Sequence, residues 1–226
     1  MPFYAIEFDV NDNGIGLHVY QEEPASYPVN ELPCTETQAQ TPMLWSNVNE
    51  TLTESLPATQ TAQIALVAQG YNTATDYVPI TINETAYSVD NTAGKQALNL
   101  SLAITANAMM QAPAWVASTE YTAGSYCNVG GVILFCSASG KSGTSAPTPP
   151  TTFGTPITDG TAAWELMGRK VYLQGGSFVR MTPQQILSAF QQGELYLHQM
   201  SNQLEALLAQ IDAAATVSDV EKVVWA

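Results

Sequence analysis

Residues 114–168 carry the pattern that most restricts this chain. Trp115, Tyr121, Gly124, Tyr126 and Cys127 lead into Gly130-Gly131, then Phe135, Cys136 and Gly140-Lys141-Ser142-Gly143. Pro147, Pro149 and Pro150 follow, and the stretch closes on Gly154, Thr158-Asp159-Gly160-Thr161, Trp164 and Gly168. Glycine and proline punctuate every few residues, so no helix can run through, and the short aromatic segments between them suit strands. On both sides lie Ala/Leu/Gln-rich segments with helical spacing. The expectation is a small antiparallel β module, residues 114–168, inserted into a discontinuous helical domain made of residues 78–113 plus 169–226.

The rest of the chain completes an α+β reading. Tyr4, Ile6, Phe8 and Val10 alternate with Ala5, Glu7 and Asp9, which describes a half-buried strand. Asn11-Asp12-Asn13-Gly14 is turn chemistry and Ile15–Tyr20 a second strand, so an N-terminal β-hairpin is expected. Pro24, Pro28, Pro33, Pro42 and Pro57 exclude regular helix over most of residues 24–57. Leu32, Met43, Leu44 and Trp45 favour an arm that wraps a neighbouring surface over a free linker. Together, residues 1–77 read as a hairpin and an extended Pro-rich attachment arm, with a short helix at Thr61–Gln69 capped by Gly70.

Ile80, Ile82, Tyr87 and Val89 around Asn83-Glu84 read as strand, turn, strand. Asp90 or Asn91 is the expected cap of a helix that runs to about Gln111, with Ala97, Leu100 and Ile104 on one face. The best-signalled element starts at Thr182, with Pro183 at its first position and Gln185 completing a capping box. Ile186, Phe190, Leu197, Met200, Leu204, Leu207 and Ile211 then form a heptad seam, with Gly193 in one slot. The seam fits two partners: the helix of residues 91–111, making an antiparallel helical hairpin, or a second copy, making a coiled coil and a homo-oligomer. The hairpin is the expected one, because a partner helix exists in the same chain. Ser218 and Glu221 form a further capping box before Val220, Val224 and Trp225.

Charge narrows the partners. The formal net charge is −14, and residues 1–94 hold 12 Asp or Glu and no Lys or Arg. Such a chain repels phosphates, so nucleic acid and anionic membrane surfaces are excluded as partners. No run approaches the roughly 18 apolar residues of a membrane span, and Met1–Val10 lacks the basic start of a secretory signal. Cys34, Cys127 and Cys136 are odd in number, and free buried thiols are expected.

Chemistry-bearing motifs fail on inspection. Gly140-Lys141-Ser142 lacks the glycine five residues earlier that a phosphate-binding loop needs, since that position is Phe135. Asp9, Asn11, Asn13 and Gly14 match half of a calcium loop, but the twelfth position is Tyr20, and a hairpin turn explains the residues without a metal. His18 and His198 lie far apart, and no Ser, Cys or carboxylate stands in a nucleophile signature. No enzyme, catalytic residue, metal or cofactor is expected. The aromatics of the module are different: Trp115, Tyr121, Tyr126, Phe135 and Trp164 are candidate carbohydrate-binding residues. Sugar rings can rest their C–H faces on exposed aromatic planes. A domain this small also needs core, which is the competing use of Trp115 and Trp164.

Residues 115–168 resemble the small carbohydrate-binding-like modules found in chitinases and in phage tail proteins. Trp115, Tyr121, Gly124, Cys136, Gly140, Ser142-Gly143, Pro147, Gly154, Thr158-Asp159-Gly160-Thr161, Trp164 and Gly168 carry that resemblance, with Phe135 standing where a tyrosine is usual. Ile80-Thr81-Ile82-Asn83, Tyr87-Ser88-Val89-Asp90 and Ile211-Asp212-Ala213-Ala214 with Thr216, Val220 and Val224-Trp225 resemble a domain common in phage tail fibre and tail fibre assembly proteins. The resemblances imply a structural or accessory protein of a tailed-phage virion, in its tail or fibre region. Its partners would be other virion proteins and, weakly, host cell-surface polysaccharide. The alternative they imply is a tail fibre assembly chaperone in the cytoplasm of the infected host.

Overall fold

The computed structural model describes residues 2–9, 11–48 and 51–226, without the side chains of Leu44, Val48, Thr51, Leu52 and Glu54. The fold is α+β, 37% helix and 31% strand, with every ladder antiparallel. Along the chain run β1 (Phe3–Phe8), β2 (Gly14–Tyr20), β3 (Glu31–Cys34), α1 (Glu36–Ala39), β4 (Trp45–Val48), β5 (Thr51–Glu54) and α2 (Leu56–Thr75). They are followed by β6 (Tyr77–Ile82), β7 (Thr85–Asp90), α3 (Gln96–Met110), β8 (Glu120–Tyr121), β9 (Tyr126–Val129), β10 (Val132–Ala138) and β11 (Gly140–Lys141). The chain ends with β12 (Ile157–Asp159), β13 (Ala162–Leu166), β14 (Arg169–Tyr172), β15 (Phe178–Met181), α4 (Pro183–Ala213) and α5 (Val217–Glu221). It divides into two compact units, residues 1–72 with 201–226, and residues 73–200.

In the first unit the expected hairpin gains a third strand, in the order β2-β1-β3. β1 is therefore central, and Ala5 and Ile6 are fully buried on opposite faces. Val10, expected on the apolar face, lies outside the described residues. The Pro-rich stretch is less extended than expected. Pro33 sits in β3 opposite Ala5, on an edge strand where a missing N–H costs no ladder bond. Thr35 and Gln38 form a capping box that starts α1. Leu32 and Trp45 are partly buried, but Met43 is 64% exposed, against the expectation that it is covered.

α2 spans 20 residues rather than nine. Pro57 lies in its first turn, where proline is tolerated, and Gly70 lies inside the helix rather than at its end. A Cβ at Gly70 would collide with the Trp225 ring, so glycine is there for close packing, not capping. Val67, Ile211, Val220 and Val223 form the core between α2, the last turns of α4 and α5, with Leu204, Leu207 and Trp225 around them. α5 is capped two residues earlier than expected: Thr216 Oγ1 accepts the Asp219 N–H at 3.2 Å, and Ser218 is not the cap.

In the second unit the β6/β7 hairpin turns at Asn83 and Glu84, both left-handed (φ 49° and 64°), as the alternation around them requires. α3 starts at Gln96, not directly after Asp90 or Asn91. Asp90 instead accepts from Thr92 in a local turn, and Lys95 takes the cap position without a side-chain bond. The buried face of α3 is Ala103, Ala106 and Met109, while Leu100 and Ile104 are 51% and 62% exposed, reversing the expected face. Small side chains win that face because it packs closely: Ala106 joins Val78, Ile80, Val89, Val171, Met181, Ile186 and Ala189 in one core.

The Thr182–Gln185 capping box and Pro183 open α4 as expected. Its seam, however, has more than one partner. Ile186 and Leu197 belong to the core just described, and a Cβ at Gly193 would stand 3.4 Å from Val78. Leu204, Leu207 and Ile211 pack with α2. Of the expected hairpin of residues 91–111 on 183–212, Leu102 and Ala106 of α3 share a core with Ile186, Ala189 and Leu197 of α4, while the later part of the seam packs with α2 instead. The β14/β15 hairpin was not expected at all.

Candidate functional site

The lobe of residues 114–168 is built on a four-stranded sheet of order β12-β13-β10-β9, with a short β8/β11 pair beside it. Gly130 and Gly131, both at positive φ, turn β9 into β10. The register then sets Cys127 opposite Leu134 and Tyr126 opposite Phe135. Strand alternation sends these pairs to opposite faces. Cys127, Leu134, Cys136, Ala162 and Trp164 close an inner core, with Trp115, Tyr121, Val129, Val132 and Ile157 at its margin. On the other face Tyr126, Ile133 and Phe135 pack with Met109, Met110, Ala112 and Met167.

A single buried carboxylate ties the inner core. Asp159 Oδ2 accepts the indole N–H groups of Trp115 at 2.7 Å and Trp164 at 3.1 Å. Its Oδ1 accepts the Gly143 N–H at 2.8 Å. Around it the 140–143 and 159–161 segments run in close contact. Thr161 Oγ1 accepts the Lys141 N–H, and the Thr161 N–H donates to the Lys141 carbonyl, each at 2.8 Å. A Cβ at Gly140 would strike the Thr161 carbonyl, and one at Gly160 the Lys141 carbonyl. The Gly-Lys-Ser-Gly and Asp-Gly-Thr motifs are therefore two halves of one backbone junction. Burial pushes the Cys127 thiol up to about 12, with Asp159 and Cys136 adding to it, and burial also raises Cys136. Both are free thiols.

The five candidate rings fare unequally. Trp164 is fully buried, so it has no face to offer a sugar, and its place in the carbohydrate-binding set is corrected. Its polar N–H found an acceptor inside, which is what lets a large indole fill the centre of a small lobe. Tyr126 and Phe135 meet at 5.7 Å with their rings tilted 50° to each other, partly buried against Met109 and Met167. Tyr121 stands edge-on to Trp164 at 4.8 Å, and its hydroxyl accepts the Val116 N–H at 2.8 Å. Trp115 and Tyr121 keep partial exposure but spend a polar group internally, so they can offer a sugar little beyond ring surface.

Two groupings escaped the sequence reading. Asp159 was visible in its motif but not as the acceptor for residues 16 and 44 positions away. The other is a cross-strand cluster on the N-terminal sheet: His18 Nδ1 lies 2.5 Å from Glu31 Oε1, and the Tyr20 hydroxyl donates to Glu31 Oε2 at 2.5 Å. That hydrogen bond to the buried carboxylate pushes Tyr20 up to about 12. His18 and Tyr20 share a strand face by alternation, a signal the sequence does carry. Glu31 sits between prolines and gives none. Asp9, read against a calcium loop, accepts from Asn11 and Asn13 within the hairpin turn, and those bonds hold its carboxyl below the usual range. Among the described residues no His/Cys/Asp/Glu group is placed to hold a metal ion.

Against known proteins, no family model, curated sequence or solved structure matches the chain.

Proposed function

We propose that the chain is a non-enzymatic structural or accessory protein of a tailed-phage virion, in the tail or fibre region, that carries a small β lobe for contact with the host surface. One observation bears most of the reading: the strands of residues 120–166 pair only among themselves and enclose their own core, tied by Asp159. A lobe with its own core can be carried on a scaffold without being needed by the scaffold's chemistry. Of the motif residues that resemble carbohydrate-binding-like modules, Trp115, Tyr121, Cys136 and Trp164 belong to that core and Gly140, Gly143, Asp159, Gly160 and Thr161 to its junction. Contact with host polysaccharide is proposed as weak, through the partly exposed Trp115 and Tyr121, and as multiplied by copy number on a particle.

Quantitative proteomics of purified virions tests the reading. Stoichiometric presence in the mature particle is expected. Abundance in infected-cell lysate with absence from particles would replace it with the assembly-chaperone reading.

A further inference from the structure

The outer face of the β14/β15 hairpin gathers positive charge in an otherwise acidic chain. Lys170 pairs with Arg180 and Tyr172 with Phe178, so alternation places all four on one face, while Val171 and Met181 enter the core. Lys170 Nζ lies 4.1 Å from the Phe178 ring centre. Lys95, at the start of α3, sets its Nζ 4.3 Å over Tyr172. Three of the six Lys and Arg residues therefore share one small face. None of the three forms a salt bridge with a carboxylate among the described residues. Asp90, held below the usual range first by Thr92, feels Lys95 through space.

The pairing is locally unfavourable. Side chains directly opposite in a ladder have Cβ atoms about 5 Å apart, and like charges there repel. A chain with 20 Asp and Glu had acids to place opposite Arg180, yet Lys170 stands there. Departures of this kind concentrate at functional sites. The cation–π contacts offset part of the repulsion and hold the ammonium groups beside ring faces rather than against acids. An anion between Lys170 and Arg180 would relieve the rest.

The charge distribution also selects the anion. At physiological ionic strength the Debye length is about 8 Å, so the cluster acts locally although the whole chain is acidic. A densely charged polyanion such as nucleic acid would still meet the surrounding acids. A single-chain polymer with one carboxylate per sugar, of lower linear charge density than duplex nucleic acid, would meet them less strongly. Phe178, 49% exposed, offers its ring to the C–H face of the neighbouring sugar. We propose that the outer face of β14/β15 binds an acidic polysaccharide, with Arg180 and Lys170 holding a sugar carboxylate and Phe178 stacking on the ring beside it. The inference rests on the reading of the chain as a host-contacting virion protein, but assigns the charged contact to this hairpin rather than to the aromatic lobe.

The full chain is applied to immobilised polygalacturonate, to neutral dextran and to polyglutamate near physiological salt. Expected is retention on polygalacturonate that weakens as salt rises, with none on dextran and less on polyglutamate. Lys170→Gln/Arg180→Gln should weaken it at least tenfold and Phe178→Ala severalfold. Lys222→Gln, which removes one positive charge elsewhere, should not. Because the pair repels, Lys170→Gln alone should melt at an equal or higher temperature, which separates lost binding from lost folding. No retention on polygalacturonate, or undiminished retention by the double variant, overturns the proposal. Equal retention on polyglutamate also overturns it and assigns the face to an acidic protein. A chain that binds polygalacturonate but is absent from virions refutes the virion reading alone, and one present in virions that fails to bind refutes this inference alone.

Discussion

Asp159 is the residue on which the lobe's interior depends. A buried carboxylate is costly unless its oxygens are paired, and here three N–H donors pair them, two from distant segments and one from Trp164 five residues on. The arrangement works in reverse as well: without the carboxylate, the Trp164 N–H is left in an apolar core with no acceptor, and the half-buried Trp115 N–H loses its partner. Hydrogen bonds to a charged acceptor are worth roughly 1.5–3 kcal/mol each, and orphaned donors keep their desolvation cost. Asp159→Ala is therefore expected to destabilise the lobe by about 3 kcal/mol or more, read by denaturant unfolding followed through tryptophan fluorescence. Asp159→Asn should lose less, since its carbonyl can still accept one set of donors while its amide faces the others. An unchanged midpoint for Asp159→Ala would show that the Trp115–Asp159–Trp164 tie does not hold the lobe together. The same tie explains why the five rings were legible as a group but not as individuals. Their density is written in the sequence, whereas which of them meets an acceptor 44 positions away is set only by the fold.

At the scale of elements, legibility followed local chemistry. The β6/β7 hairpin and the start of α4 were readable because their turn and cap residues act on neighbours within four positions. The β14/β15 hairpin was not, since four-residue strands interrupted by Gln174-Gly175-Gly176 carry too little alternation to register. The seam of α4 shows its period but not its partners, because apolar periodicity says that a stripe is buried and not against what. Gly70 illustrates the point. A glycine after an apolar run reads as a helix end, yet it lies within α2 because Trp225 leans on it. Two effects of opposite sign meet there. Gly→Ala inside a helix gains about 1 kcal/mol of propensity, while forcing a methyl into a packed contact costs about 1–3 kcal/mol. Gly70→Ala is expected to be destabilising in the full chain and stabilising in a Trp225→Ala background. Thermal unfolding of the four members of that cycle checks it. A stabilising Gly70→Ala with Trp225 in place would remove the close contact as the reason for the glycine.

At the scale of the whole molecule the question is whether the lobe is cargo or structure. The core of Val78, Ile80, Val89, Ala106, Val171, Met181 and Ile186 contains no residue from 114–168, which favours cargo. Met109 and Met110 argue the other way, since they belong to a cluster with Ile133 and Phe135 of the lobe. Burying a methionine is worth roughly 1.5–3 kcal/mol, a minor share of what a core of nine buried residues contributes. Replacing residues 114–168 with a short Gly/Ser linker should therefore leave a chain that still unfolds in one cooperative transition. It should melt lower, by roughly 2–4 °C for each kcal/mol lost at this size. The loss should trace to the uncovered end of α3, so adding Met110→Gln to the excised chain should cost little further, whereas the same change in the intact chain should destabilise it. Calorimetry of the excised and intact chains, each with and without Met110→Gln, gives the answer. If the excised chain loses its cooperative transition, the cluster at Met109 and Ile133 joins the lobe to the scaffold as one folding unit, and the lobe is structural.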